Sequence, residues 1–370
     1  MINLNIVGDF YLNNDNVNNL DIDNDLQLFF KNSDLNILNL EAPIVGKITP
    51  KDKYGPSLYM NDDSISVLKE LNTHLVTLAN NHIMDQGEKG LKNTIDTLNL
   101  NDIKFIGAGA NLTKANAPYI KQINGITLGI INVAENEFSN TNGDYYGAAP
   151  LDIIDNTSLI QELKTNVDKL IVIVHGGAEM HKYPSPRFKK TLRFFADQGA
   201  DAVIAHHTHK FNGYEIYNDV PIVYGTGNFI FPNKNGDDLW NIGVIANLCI
   251  EKEKIDLKIY PVKLSYKQKI TLSFLSDSDT ISFIELEKDR NEVIANDKLL
   301  EKEYDLFVAS IKNQYLHYLQ PYTSKYLHKL FSMKIISNFL SKNKKRLLYL
   351  NLIRCEAHRD VLIKILNDKL

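Results

Sequence analysis

The run Ala205-His206-His207-Thr208-His209 follows directly on the apolar stretch Ala202-Val203-Ile204. The chain holds 10 histidines in 370 residues, so three within four positions mark a candidate site. In an extended chain alternate side chains share a face. That predicts His207 and His209 projecting together from a strand end, with His206 facing away. Two imidazoles side by side suit a divalent metal. The competing account is a polar loop that happens to contain histidines.

Other strand-like stretches end in the same way. Ile6-Val7-Gly8 leads to Asp9, residues 35–38 to Asn39-Leu40-Glu41, residues 75–79 to Asn80-Asn81-His82, and residues 170–174 to His175. Ligands of open α/β sheets bind at the carboxyl ends of the strands. Taken singly, each residue reads as a turn former or a cap. Taken together, carboxylate, amide and imidazole donors delivered from five strands make one site.

The elements that must position these residues alternate over the first 260 positions. Apolar strand-like runs fall at 3–8, 35–40, 74–79, 103–107, 170–174 and 201–205. Leu91, Ile95 and Leu98 lie at helical spacing, as do Phe188, Leu192 and Phe195, with Gly199 as the expected C-cap of the second helix. Asn124-Gly125, Asn218-Asp219 and residues 251–254 separate paired strand-like runs and predict hairpins. The expectation is an α/β protein with mixed sheets packed face to face and helices outside. Its organisation reads as a domain over 1–264, a charged connector with some helix over 265–300, and a helical region over 301–370.

Read in order, Gly8-Asp9, Asn39-Leu40-Glu41, Asn80-Asn81-His82 with Asp85, His175-Gly176-Gly177 with Glu179, His207-Thr208-His209 and Gly225-Thr226-Gly227-Asn228-Phe229 resemble the CapA family of bacterial poly-γ-glutamate capsule biosynthesis proteins. That family is similar to the calcineurin-like metallophosphoesterases. The resemblance covers roughly residues 2–262 and not the helical tail. It implies a four-layered α/β/β/α sandwich with a two-metal site at its rim. By this resemblance Asp9 is the first-strand carboxylate ligand, Glu41 stands where a bridging Asp is usual, and Asn81 is the amide-oxygen ligand. His82 is the catalytic histidine, His175 the isolated imidazole ligand, and His207 and His209 the final pair. The implied cofactor is one or two divalent transition ions, Mn, Fe or Zn. The implied activity is that of a metal-dependent hydrolase, a phosphoesterase above all, in capsule or exopolymer biosynthesis. The alternative is a non-catalytic accessory protein of the same machinery.

Several positions depart from the phosphoesterase pattern. Tyr11 stands where Asp-x-His would place a second nitrogen ligand, and Ile83 stands where a carboxylate usually follows the catalytic histidine. Asp85 either orients His82 or caps the helix starting near Gly87, the cap being the slightly favoured role. Weaker candidates for contact with an anionic substrate are Glu179, His181, Lys182, Arg187 and Asn228. The loop 46–60, with Lys47, Lys51, Lys53 and Tyr59, is another candidate rim.

Composition sets the surroundings. The chain is 44% hydrophobic and 23% charged, with a net charge of −4 and a mean hydropathy of −0.23. These values are those of a globular protein. Residues 301–370 carry 13 basic against 6 acidic side chains, and the preceding 300 carry 28 against 39. An acidic body without a binding motif argues against nucleic acid as a partner. No apolar run reaches transmembrane length, the N-terminus lacks a basic signal region, and the two cysteines form no metal or redox spacing. The cytoplasm is the expected compartment. Expected partners are an anionic small molecule or polymer and the proteins of capsule synthesis. The basic segment 342–350 could touch anionic lipid, although a solvated helical face is the simpler account.

Overall fold

In the computed structural model, residues 1–335 are described apart from 13, 52, 54, 55, 235, 236, 267, 319–323 and 334. The chain divides into two compact units, Met1–Glu301 and Lys302–Leu370. Among the described residues, the first unit holds a nine-stranded sheet, a six-stranded sheet and a two-stranded ribbon. In the larger sheet the first strand, Ile2–Phe10, pairs in parallel with Leu35–Leu40 and antiparallel with Ile242–Ile250. In the smaller sheet Ile126–Ala134, Lys169–His175 and Ala202–His206 run parallel to one another.

Alternation along the strands builds the layers. Ile2, Leu4, Ile6, Leu35 and Ile37 of the larger sheet share one buried cluster with Ile130, Ile171, Ile173 and Ile204 of the smaller, so the sheets pack face to face. Leu170, Val172 and Val174 point the other way and join Leu192 and Phe195. Those two residues lie on the helix Pro186–Asp197, which starts where Ser185 accepts a hydrogen bond from Phe188 N. On the larger sheet's outer side lie Leu26 and Phe30 of the helix Asn24–Lys31, and Leu91 and Leu98 of Gly87–Leu100. The result is the expected α/β/β/α sandwich. The Asn124-Gly125 and Asn218-Asp219 turns both adopt positive φ at their two central residues, as tight hairpins require.

Two expectations need correction. Residues 265–300 are not a connector. Ile270–Phe274 is a strand of the larger sheet, paired with Ile255–Tyr266 and with Leu20–Ile22. The helix Asp277–Ala295 buries Phe283, Arg290, Val293 and Ile294. Apart from the buried Arg290, most charged residues of this stretch lie on its solvated faces, and that hid a weak alternating pattern.

The second correction concerns His207 and His209. The strand ends at His206, and His207 and His209 have φ of 92° and 57°. A left-handed turn brings them together, not the pleat of a strand.

In the second unit the helix Asp297–Tyr318 continues past Glu301, and Lys325–Ser332 is helical. Among the described residues, no helix is long and apolar enough to cross a membrane. The segment 342–350 and Pro321 lie outside the described residues.

Gly8 links fold to site. The register between the first strand and Leu35–Leu40 shifts between Val7 and Asp9. A Cβ at Gly8 would collide with the Gly227 carbonyl oxygen. This local irregularity re-aims Asp9. Gly8→Ala should lower unfolding free energy by about 3 kcal/mol, measured by urea denaturation.

Candidate metal centre

Parallel pairing puts the strand ends at one rim. Asp9 lies opposite Asn39 and Asn228 in the larger sheet, and His175 lies opposite His206 in the smaller. The two ends meet across the seam. His175 Nε2 is 3.1 Å from Asn81 Oδ1, 3.0 Å from His207 Nδ1 and 3.5 Å from Glu41 Oε1. His209 Nδ1 is 3.4 Å from Asp9 Oδ2 and 2.9 Å from Asn228 Oδ1. Two donor groups result, Glu41–His175–His207 and Asp9–Glu41–His209, each with its donor atoms within 4.8 Å of one another. Glu41 belongs to both.

These residues fit divalent ions. Asp9 and Glu41 are fully buried; Glu41 Oε1 has no hydrogen-bond partner, and Asp9 Oδ2 faces His209 Nδ1 at 3.4 Å. A buried carboxylate oxygen without a donor is costly unless a cation meets it. The mixed O and N donors match Mn, Fe or Zn. Asn81 stands beside the first group and could add its amide oxygen. Tyr11 supplies nothing to either group; its ring packs on Phe231 at 4.8 Å.

Charge within the cluster is divided unevenly. At Asp9 burial opposes ionisation, but the hydrogen bond and charge of His209, with His175 and His206, hold the carboxyl well below its usual range. At Glu41 burial and then the Asp9 charge push the carboxyl well up, against a hydrogen bond from Asn39. Burial, with His207 beside it, pushes His175 well down; burial also lowers His207, with Glu179 opposing. At His209 burial works downward, but the bond to Asp9 and its charge prevail and raise the imidazole.

His206, on the strand proper, turns to Thr226 Oγ1 at 2.7 Å; burial lowers it to about 4.

Asn39 is a participant that motif reading passed over. Its amide nitrogen donates to Asp9 Oδ1 at 2.8 Å and to Glu41 Oε2 at 2.5 Å, holding both carboxylates in place. Its position two residues before Glu41, on the same strand face, was the available signal. Glu137 was also missed. It lies 3.7 Å from His207 Nε2, with Glu179 at 3.8 Å. Burial and the Glu179 charge raise its carboxyl. No motif marks it, because it sits in an irregular loop after Ile126–Ala134.

His82 has a defined partner. Its Nδ1 lies 2.7 Å from Asp85 Oδ2. Asp85 also accepts from Leu58 N at 2.7 Å and pairs with the buried Lys53. The helix Gly87–Leu100 has Gln86 at its N-cap with no side-chain cap bond. Asp85 therefore orients His82 and does not cap. Lys53 Nζ is also 3.1 Å from His82 Nδ1. Asp85 and Lys53 thus both meet the His82 ring at Nδ1.

The weaker candidates divide. Asn228 braces the site, accepting from His209 and donating to Trp240 O at 3.0 Å. Glu179 faces His207. His181 and Lys182 are instead spent on packing: His181 is buried against Tyr183, with ring centroids 5.9 Å apart, and Lys182 Nζ lies over the same ring. Tyr183 in turn bonds Asp289 at 2.9 Å. Arg187 is exposed, 3.4 Å from Glu135. A loop rich in polar residues read as a rim because its docking on the helix Asp277–Ala295 is a long-range contact.

Comparison with known proteins decides the family. The model of the family described as bacterial capsule synthesis protein PGA_cap matches residues 4–233, more than half of the chain. The chain belongs to this family. Among curated PGA_cap-like relatives, the PGA biosynthesis protein CapA of Bacillus subtilis is 32% identical over 207 residues, 55% of this chain and 54% of its own length. The capsule biosynthesis protein CapA of Bacillus anthracis is 28% identical over 214 residues, 55% of this chain and 52% of its own. A probable polyglutamine synthesis accessory protein of Mycobacterium tuberculosis is 27% identical over 224 residues, 57% of each. The chain spans about half the length of the curated relatives it matches. The PGA_cap match contains all eight residues of the candidate centre, Asp9, Glu41, Asn81, His82, Asp85, His175, His207 and His209.

Metal uptake by this centre should release protons, because Glu41 and His209 are raised while His175 and His207 are already neutral near pH 7. Manganese affinity should therefore rise with pH. Calorimetry in buffers of different ionisation enthalpy measures the release, and Glu41→Gln should reduce it. Asn39→Ala should weaken manganese binding by roughly 10- to 100-fold in the same titration.

Proposed function

We propose that this chain is a metal-dependent hydrolase, most specifically a phosphoesterase, acting in the synthesis of a bacterial capsule or related exopolymer. The observation that carries the reading is Glu41, a buried carboxylate shared by two donor groups, with one oxygen lacking a hydrogen-bond partner. Glu41 would help to hold an ion in either group. Divalent ions held there would activate water and neutralise phosphoryl charge.

The chain's own residues supply the rest. Asp9, Glu41, Asn81, His175, His207 and His209 would hold the ions. Asn39 orients the two carboxylates, and Glu137 and Glu179 face the outer nitrogen of His207. Asp85 holds the His82 ring through Nδ1, so that a protonated His82 could give up its Nε2 proton to a leaving oxygen.

A second reading keeps the same centre but not the catalysis. Tyr11 replaces a nitrogen ligand, and a relative is described as an accessory protein. The chain would then hold a polymer or lipid-linked intermediate for a synthesis partner.

Elemental analysis of the purified protein, with a phosphatase screen in added manganese, separates the two. Bound transition metal is expected, and it should be lost in the His207→Ala/His209→Ala double variant. His82→Ala should lower turnover by roughly a hundredfold or more with metal content unchanged. A protein that binds metal and stays inert toward every phosphoester would favour the accessory reading.

A further inference from the structure

Beside the His209 edge of the cluster, aromatic rings from separate segments come together. Tyr11 and Phe231 stand 4.8 Å apart, and Phe231 and Trp240 stand 5.3 Å apart at 87°. Trp240 lies 4.8 Å from the His209 ring at 32°, and Phe231 lies 5.2 Å from it. Tyr11, Phe231 and Trp240 are half-buried, whereas the packing aromatics Phe30 and Phe229 are 0% and 1% exposed.

The wall is braced. The Trp240 indole donates to Phe231 O at 2.9 Å, and Trp240 N donates to Asp237 Oδ1 at 2.8 Å. Asp237 in turn pairs with Lys210 at 2.7 Å, next to His209. Aromatic side chains fixed in this way lose little entropy when a ligand stacks on them.

The opposite edge of the cluster is acidic. Glu137 and Glu179 face His207, and Glu135 bonds Gly177 N at 3.1 Å.

We propose that the wall of Tyr11, Phe231 and Trp240 is the ring subsite of this centre, and that its ligand is a sugar phosphoester whose phosphate lies on the cluster. This rests on the hydrolase reading above and names its substrate class. A sugar presents an apolar C–H face to aromatic rings and a hydroxyl to the phenol of Tyr11. A polyanionic chain would have to pass the carboxylates at the other edge, where like charge repels it.

Trp240 is the only tryptophan of the chain, so intrinsic fluorescence reports on the wall directly. The full chain, loaded with manganese, is titrated with N-acetylglucosamine 1-phosphate, methyl phosphate and poly-γ-glutamate. The sugar phosphate should give a saturable change and bind at least tenfold more tightly than methyl phosphate. Poly-γ-glutamate should not displace it. Tyr11→Ala should lose that tenfold preference with manganese content unchanged. By calorimetry, Trp240→Leu should lose it and Trp240→Phe should keep most of it.

Equal affinity for the two phosphates, or displacement by poly-γ-glutamate, overturns the subsite. If p-nitrophenyl phosphate is still hydrolysed in that case, the hydrolase reading stands without it. Failure to take up manganese overturns both.

Discussion

Two carboxylates buried side by side at the seam of two sheets are the constraint on which the rest of this structure depends. Asp9 and Glu41 are fully inside the protein, with donor atoms within 4.8 Å of each other. At that separation two charges repel by roughly 3 to 4 kcal/mol at an effective dielectric constant near 20. The protein answers by dividing the load. Asp9 stays ionised against His209, and Glu41 is pushed toward its neutral form. Neither device gives Glu41 Oε1 a donor. A cation between the sheets would meet both oxygens at once and would reverse the shift at Glu41. The neighbouring groups follow from this constraint: neutral imidazoles from the smaller sheet, an amide at Asn39 donating to both acids, and a second amide at Asn81.

Holding such a cluster requires backbone that ordinary strands do not provide. Gly8 permits the register shift that aims Asp9, because no side chain fits against the Gly227 carbonyl. His207 and His209 take positive φ, a conformation that costs a non-glycine residue of order 1 kcal/mol or more. The well-packed parallel strands beneath them carry that strain. Their cores are nearly pure Ile, Leu and Val, with Ile171, Ile173 and Ile204 fully buried. A rigid apolar floor with an irregular polar rim is the division of labour that α/β folds use at strand ends.

The rim is asymmetric, and the asymmetry bears on what the centre can accept. Aromatic rings flank His209 and carboxylates flank His207. His82 stands apart from both edges with its own acid, Asp85, which the buried Lys53 also pairs. The centre thus places a cluster of candidate cation ligands, an imidazole with its own acid and a group of mutually tilted aromatic rings on different chain segments. Those segments meet only at the strand ends.

Much of this was legible in the sequence. Runs such as 170–174 and 201–205 state their burial through hydrophobicity alone, and Asn124-Gly125 and Asn218-Asp219 state their turns through the need for positive φ. The residues Asp9, Glu41, Asn81, His82, His175, His207 and His209 stand out because each follows such a run. What the sequence could not carry was any relation between residues distant along the chain. The strand Ile270–Phe274 was hidden because one of its two partners, Leu20–Ile22, lies more than 200 residues away, the other being the hairpin strand Ile255–Tyr266. Asn39, Glu137 and the aromatic wall acquire roles only through neighbours from other segments. His181 and Lys182 lost theirs in the same way, to packing around Tyr183. Even the opening His-x-His pair comes together by a geometry the sequence did not state, because side chains alternate only while the strand continues, and this strand ends at His206. Local chemistry by itself determined which residues could bind a cation. Tertiary structure alone decided which of them meet, because burial, desolvation and shared hydrogen bonds are properties of neighbours in space.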